Sequence, residues 1–386
     1  MKTHLLKNDA FCVAPWLSLY IDPDGTVAPC CTSKAFNIGN VNQNSLEYIL
    51  RSEKIKNVKQ NMLDGKKHIA CNFCYNQEKI NQSSLRKGFN NTYLKKHIDI
   101  IPNNEFKLKY LDIRFSNKCN FKCVMCGPEL SSRIGNVTIN LPKQATEWIY
   151  SNLKEIEQVY IAGGEPLIMQ EHYNFLDKLL LLNKTDIKLR YNTNLSALKY
   201  KSYNPLEYWI KFKNIQIDAS IDLSHSKGEL IRFGLSWKQF QKNWYKMQEF
   251  EILHNNIHKK RHSIIRPQIT ITAITIFYLP EFLEIIWNDL KYKEKRIATN
   301  FCMIPERFNP CILPDELKQK IKEKFNVYKE KFKTKKHFIK ILDDCHNSLY
   351  DNSQKNTSWH FKNLMSYMNK KQNNFGELFP IFKNYI

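Results

Sequence analysis

Three cysteines, Cys119, Cys123 and Cys126, lie on one short loop with C-x3-C-x2-C spacing. Three thiolates held this closely can bind three irons of a 4Fe–4S cube and leave the fourth iron without a protein ligand. An iron with an open position can chelate a small molecule. A structural zinc site asks for four ligands, commonly in paired C-x2-C units, and this asymmetric trio does not close one. The loop follows a strand-like run over residues 109–115. Parallel α/β architectures gather ligand groups at the carboxyl ends of their strands, which is where this loop falls.

A second set of thiols lies nearer the N-terminus. Residues 11–31 read as a β-hairpin, with an apolar run over 16–21, a turn at Asp22-Pro23-Asp24-Gly25 and a return strand over 26–28. Cys12 precedes the hairpin, and Cys30 and Cys31 follow it at once. Amphipathic helices are expected over 45–54 and 56–63, and beyond them Cys71 and Cys74 form a C-x2-C pair. A glycine beside the turn lets the chain fold back tightly enough to bring a distant thiol to its partner.

Eleven cysteines in a chain without an export signal are poorly explained by disulfides, because the cytosol keeps thiols reduced. Metal or cluster ligation explains them better. Lys2 and Lys7 flank only two leucines before Asp9, and no run of about 18 or more apolar residues occurs. A cytoplasmic protein with no membrane anchor is therefore expected. A length of 386 residues with 42% hydrophobic content suits one large α/β domain plus a smaller one. The formal net charge of +22 would suit a nucleic-acid partner. Its lysines are spread along the chain in short clusters such as Lys333-Thr334-Lys335-Lys336 and Lys370-Lys371, not in one basic arm, so that partner is not favoured.

The elements that must position the cysteine loop follow a regular rhythm. Strands are expected over 109–115, 158–162, 187–192, 215–221, 268–276 and 297–304, with helices over 143–157, 170–182, 236–254 and 281–293 between them. That alternation predicts an α/β fold on a parallel sheet. The second strand runs into Gly163-Gly164-Glu165-Pro166, where glycine lets strand carbonyls approach an ammonium and the carboxylate can accept from it or hold the turn. The third ends in Asn192-Thr193-Asn194, polar groups that line a pocket or cap the next helix. The fourth carries Ser220-Ile221-Asp222, whose alternation sets hydroxyl and carboxylate on one face. Arg232 follows in Ile231-Arg232-Phe233-Gly234. Residues 89–107, polar and ending near Ile101-Pro102-Asn103-Asn104, read as a linker. Beyond Ile304 the chain reads as helical over 315–331 and 336–342, with a polar stretch over 352–356. Cys302, Cys311 and Cys345 have no C-x2-C partner and are expected as buried or unligated thiols. Trp359, Phe361, Phe375 and Phe379 are expected to pack this tail.

On these residues the chain resembles the radical S-adenosylmethionine (SAM) enzymes. The cysteine loop is similar to their signature, and Gly163, Gly164, Glu165 and Pro166 to the element that receives the SAM amino group. Ser220 and Asp222 are similar to the ribose-binding element, and Arg232 to the arginine that pairs with the SAM carboxylate. Met125 departs from the pattern, since many relatives carry an aromatic there near the adenine. Cys12, twelve residues, Gly25, four residues and Cys30, closed by Cys71-Asn72-Phe73-Cys74, resemble the auxiliary-cluster pattern of SPASM and twitch domains. Glu78, Ser84 and Arg86 are similar to residues usually found beyond that closing pair in twitch-containing proteins.

The resemblance implies a second 4Fe–4S cluster on Cys12, Cys30, Cys71 and Cys74, with Cys30 preferred to Cys31 by its spacing after Gly25. A four-cysteine zinc site is the alternative. It also implies a partial (β/α)6 barrel over 108–310, an auxiliary domain over 1–88, the linker over 89–107 and a helical extension over 311–386. The auxiliary domain usually follows the catalytic one and here precedes it. The implied activity is reductive cleavage of SAM to a 5′-deoxyadenosyl radical that takes hydrogen from a peptide or protein side chain, in an oxidation, a cross-link or an epimerisation. A reducing partner such as flavodoxin or ferredoxin would supply the electron. RNA modification is the runner-up. A non-catalytic iron–sulfur or zinc-binding protein is the third reading, but a structural staple has no use for an amino, ribose or carboxylate site.

Overall fold

In the computed structural model, which describes residues 5, 7–79, 83–102, 104–293, 296–350, 356–371 and 374–386, the apolar runs become short strands. In chain order these are β1 (Ser18–Ile21), β2 (Thr26–Ala28), β3 (Gly39–Asn40), β4 (Tyr110–Arg114), β5 (Lys122–Cys123) and β6 (Gln158–Ala162). They continue as β7 (Lys188–Thr193), β8 (Asn214–Ser220), β9 (Arg232–Phe233), β10 (Ile265–Ile271) and β11 (Ala298–Phe301). Asn103 of the expected linker, and the polar stretch over 352–356 apart from Asn356, lie outside the described residues. Two units form, the first from Met1–Cys119, Pro128–Asn192 and Lys199–Ile215, the second from Asn120–Gly127, Thr193–Leu198 and Gln216–Ile386. The expected α/β class, with parallel strands alternating with helices, stands in both.

In the first unit the strands run β3–β2–β1–β4–β6–β7. β1 and β2 make the antiparallel hairpin, and β1 also pairs in parallel with β4, Ser18 opposite Tyr110 and Ile21 opposite Ile113. The cysteine-bearing hairpin is therefore an extension of the sheet that leads to Cys119. Leu111, Ile113, Val159, Ile161, Leu189 and Tyr191 are fully buried on one side of these strands. Alternation places the polar row on the other, where Tyr20, Asp112, Tyr160 and Arg190 face one another across four strands.

Two expectations fail here. Trp16 and Leu17 are helical, in the turn Ala14–Leu17 that Pro15 opens with its fixed φ. Residues 89–107 are not a linker. Phe89, Tyr93, Leu94, Ile98 and Ile101 fall on one helical face and share a core with Phe11, Cys12, Val13 and Trp16. The polar residues between them obscured that period.

His172, in the helix Gln170–Leu181, gives the first unit a pH dependence. It is fully buried with Nε2 3.0 Å from the Tyr191 hydroxyl, and burial lowers its pKa from 6.5 to about 3. Between those values the unfolded chain binds a proton that the folded chain refuses. Stability from this group is thus complete above pH 6.5, falls as pH drops through the window, by up to about 1.4 kcal/mol per pH unit, and levels off near pH 3. In urea titrations over roughly pH 4 to 7, His172→Phe is expected to lose that slope relative to wild type. Equal slopes in the two proteins would refute it.

In the second unit β8, β10 and β11 are parallel, and the long helix Trp237–His258 buries Phe240, Trp244 and Met247. The fifth expected strand begins earlier and ends at Ile271, because Thr272 and Thr275 turn the chain: the Thr272 amide donates to the Thr275 hydroxyl at 2.9 Å. The tail is helical over Asp315–Lys331, Lys336–Ser348 and Thr357–Lys371. Phe361, Phe375 and Phe379 are buried, whereas Trp359 is 61% exposed and lies edge-on to the His360 ring at 4.9 Å. Cys302, Cys311 and Cys345 are buried thiols. Among the described residues no helix is long and apolar enough to cross a membrane, and no disulfide forms.

Candidate functional site

The N-terminal thiols converge within the first unit. Cys12 senses three others electrostatically: burial and then Cys30, Cys71 and Cys74 push its thiol well up. Burial, Cys30 and Cys74 push Cys71 up to about 12. Cys31 points elsewhere. Its thiol donates to the Asp112 carboxylate on β4, and burial followed by that carboxylate raises it. Asp112 in turn pairs with Arg114, whose guanidinium lies 4.6 Å from the centre of the Tyr20 ring. Among the described residues, no three His, Cys, Asp or Glu side chains crowd round one point as they would on a single bare ion. Buried thiols gathered in this way become thiolates when a cationic centre sits among them. The donor set therefore fits an iron–sulfur group.

The side chains beyond the C-x2-C pair hold Cys12 in place. Arg86 is buried and pairs with Glu78, which also accepts from Ser84. Burial raises the Glu78 carboxyl, but the Arg86 and Ser84 hydrogen bonds outweigh it and hold the group below its ordinary value. Arg86 Nη1 and Asn90 Nδ2 both donate to the Phe11 carbonyl at 2.8 Å, and the Val13 amide donates to Asn90 Oδ1 at 2.9 Å. The Tyr75 hydroxyl donates to the Ala10 carbonyl at 2.8 Å. The backbone on both sides of Cys12 is thereby fixed by residues flanking Cys71 and Cys74. Asn90 and Tyr75 carry no motif that would have revealed this.

In the same unit the glycine-rich turn after β6 packs on the chain that enters the cysteine loop. The Gly164 amide donates to the Ser116 carbonyl at 3.1 Å and the Glu165 amide to the Lys118 carbonyl at 2.7 Å. A Cβ on Gly164 would lie 2.1 Å from the Lys118 oxygen, and Gly163 has φ +114°. The buried Glu165 accepts from the Leu167 amide at 3.1 Å, which holds the turn. Asn117 secures the entering segment: Nδ2 donates to the Pro128 and Val137 carbonyls at 2.9 and 3.0 Å, and Oδ1 accepts from the Ile139 amide at 2.8 Å. The Cys119 amide donates to the Ser132 hydroxyl at 3.3 Å. Asn192, near the end of β7, keeps a buried Oδ1 with no hydrogen-bond partner among the described residues.

The second unit holds the rest. β5 and β9 form a two-stranded antiparallel ribbon with Cys123 opposite Arg232. The Cys123 thiol is raised well above its ordinary value by its hydrogen bond with Cys126 and by burial, against the pull of the Arg232 guanidinium. Arg232 and Asp222, similar to separate carboxylate- and ribose-binding elements, meet each other: Nε–Oδ2 is 2.8 Å and Nη2–Oδ1 3.0 Å. Asp222 also accepts from the Thr270 amide at 2.7 Å, and Ser220 lies across the ladder from Gln268. Asn194 donates to Asn120 in the cysteine loop at 2.9 Å. Tyr367, from the tail helix, donates to the Val124 carbonyl at 3.2 Å, and Met125 is buried. A lone tyrosine in an amphipathic helix offers no sequence signal for that contact.

Residues 12–76 match the SPASM family, an iron–sulfur cluster-binding domain. The GTP 3′,8-cyclase of Campylobacter lari is 28% identical over 128 residues, covering 29% of this chain and 35% of its own length. The GTP 3′,8-cyclase of Aliarcobacter butzleri is 31% identical over 115 residues, again covering 29% and 35%. The chain thus spans about a third of the length of these curated relatives. Among solved structures, anSMEcpe with bound AdoMet is 18% identical, with 59% of this chain and 60% of that chain covered and a TM-score of 0.41. The match covers the converging thiols Cys12, Cys30, Cys71 and Cys74 and makes residues 12–76 a SPASM-type iron–sulfur cluster-binding domain, which precedes the cysteine loop and its glycine-rich turn in the chain.

Proposed function

We propose that the protein is a radical SAM enzyme acting on a peptide or protein side chain, with Cys119, Cys123 and Cys126 as ligands of the catalytic cluster. A 4Fe–4S cluster held by these three thiols would supply the one-electron reductive cleavage of SAM by which hydrogen is taken from an unreactive C–H bond. The chain's own residues have quieter tasks. Gly163 and Gly164 let their turn pack on the Ser116 and Lys118 carbonyls at the entry to the cysteine loop, Glu165 holds that turn, and Asn192 and Ser220 would offer polar groups to the cofactor. Cys12, Cys30, Cys71 and Cys74 would hold a second cluster, able to exchange an electron with the substrate. The observation that carries the reading is the packing of Gly164 on the Lys118 carbonyl, one residue before Cys119. A SPASM-type domain supports a peptide substrate through the sequence resemblance to twitch-bearing enzymes. The curated relatives are named for GTP, and with a net charge of +22 this supports RNA as the second reading.

Anaerobic reconstitution, iron and sulfide quantitation and a 5′-deoxyadenosine assay with dithionite test the proposal. Changing Cys119, Cys123 and Cys126 together to alanine is expected to abolish the product and leave only the N-terminal iron. Product from that variant, or zinc alone at these thiols, would end the proposal. RNA binding that weakens steeply with salt, beside no turnover of peptides, would favour the second reading.

A further inference from the structure

We propose that Arg232 is a positioning residue for the cluster ligand Cys123, and that its guanidinium raises the reduction potential of the cluster it faces. The inference rests on the reading that Cys123 is a ligand. It starts from the β5–β9 ribbon, which sets Cys123 directly opposite Arg232 and is extended by the Val124 amide donating to the Ile231 carbonyl at 2.9 Å. Gly234 closes the ribbon at φ +110°, and a Cβ there would meet the Phe121 ring at 2.9 Å and the Asn120 carbonyl oxygen at 3.0 Å. The arginine is thus locked to the cysteine loop by backbone.

Its fork is locked as well. Nε and Nη2 are both taken by Asp222, whose side chain is fully buried and receives a further hydrogen bond from the Thr270 amide. That leaves Nη1, which lies 4.0 Å from the Cys123 sulfur. A planar guanidinium held on two of its nitrogens has no freedom to swing the third away. A fixed N–H and a positive charge at a ligand sulfur stabilise the more negative, reduced cluster, since hydrogen bonds and net charge at the sulfurs set such potentials. The step concerned is a one-electron reduction, [4Fe–4S]2+ to [4Fe–4S]+, with dithionite as reductant and no bond made or broken. If Arg232 served chiefly to pair the SAM carboxylate, its loss would weaken SAM binding and leave the SAM-free potential alone.

The test is an EPR-monitored redox titration of the full-length, reconstituted protein without SAM, the relevant signal being the one that SAM subsequently perturbs. At a fixed potential, Arg232→Gln is expected to lower the ratio of reduced to oxidised cluster at least about tenfold, a midpoint fall of about 59 mV for one electron. Arg232→Lys, which keeps the charge, should hold the ratio within about threefold of wild type, by the same reasoning. An unchanged midpoint in Arg232→Gln overturns the inference, whatever happens to SAM affinity. Should Arg232→Gln load no cluster, Asp222→Asn carries the test: removing the counter-charge should raise the midpoint, and an unchanged or lowered one overturns the inference. A wild type with no SAM-sensitive signal would overturn the underlying reading and this inference with it, and is recognised as such because the N-terminal signal alone remains.

Discussion

Gly164→Ala is expected to cut 5′-deoxyadenosine formation by at least about a hundredfold, because a shift of about 1 Å in a positioned group costs that much. The methyl group would stand 2.1 Å from the Lys118 oxygen and 2.5 Å from its carbon, distances that only backbone movement relieves. The segment 116–119 has little freedom to move. Ser116 and Lys118 already accept the Gly164 and Glu165 amides, and Asn117 spends its whole amide on residues 128–139. Displacement would therefore break those two hydrogen bonds and carry Cys119 with it. Overpacking of this kind also costs about 1–3 kcal/mol of stability. Iron at the N-terminal thiols should be retained, so iron content per protein separates loss of the catalytic loop from loss of the fold. Gly88→Ala is the control: a Cβ there meets nothing within 4 Å, and it should match wild type in iron and in product. Wild-type turnover by Gly164→Ala would remove the packing on which the proposed function rests.

What could be read in advance was what local spacing encodes. The strand Gln158–Ala162 and the helix Asp315–Lys331 occupy the positions expected of them, since each is a regular apolar period between turn residues. The cysteine loop and the glycine-rich turn were visible because their chemistry depends on neighbours in sequence. Pairings between distant segments were not. Nothing near Ser18 announces that it will run parallel to Tyr110, and nothing in the polar texture of residues 89–107 announces that Phe89, Tyr93 and Ile98 share a core with Phe11 and Trp16.

The same limit shaped the site. Asp222 and Arg232 were each matched to a different part of SAM, because a motif assigns residues one at a time. The fold brings them together as a buried ion pair, an arrangement whose loss of one partner costs about 3–5 kcal/mol. Such a pair behaves as a unit, so single substitutions at either position report on both. Thr270 and Tyr367 joined the site only through tertiary structure, by a backbone amide and by a hydroxyl on a tail helix.

Cys30→Ala is expected to strip the N-terminal centre of its iron, a loss of roughly four irons per protein, while Cys31→Ala keeps them. The two thiols are neighbours in sequence and opposites in surroundings. Cys30 lies among Cys12, Cys71 and Cys74, and its sulfur is within 3.3 Å of the Thr32 hydroxyl, which also reaches Cys74 at 3.8 Å. Cys31 faces the Asp112 carboxylate, and truncating it removes one hydrogen bond from an acid that Arg114 still pairs, a cost of about 1 kcal/mol. Iron and sulfide quantitation in the background of the Cys119, Cys123 and Cys126 triple variant reads the N-terminal centre alone. Full iron in Cys30→Ala with loss in Cys31→Ala would reverse the assignment, and would require the hairpin to turn Cys31 away from Asp112 when the cluster assembles. Zinc in place of iron in both would keep the same four thiols but make the centre a staple, and the substrate radical would then have to exchange its electron elsewhere.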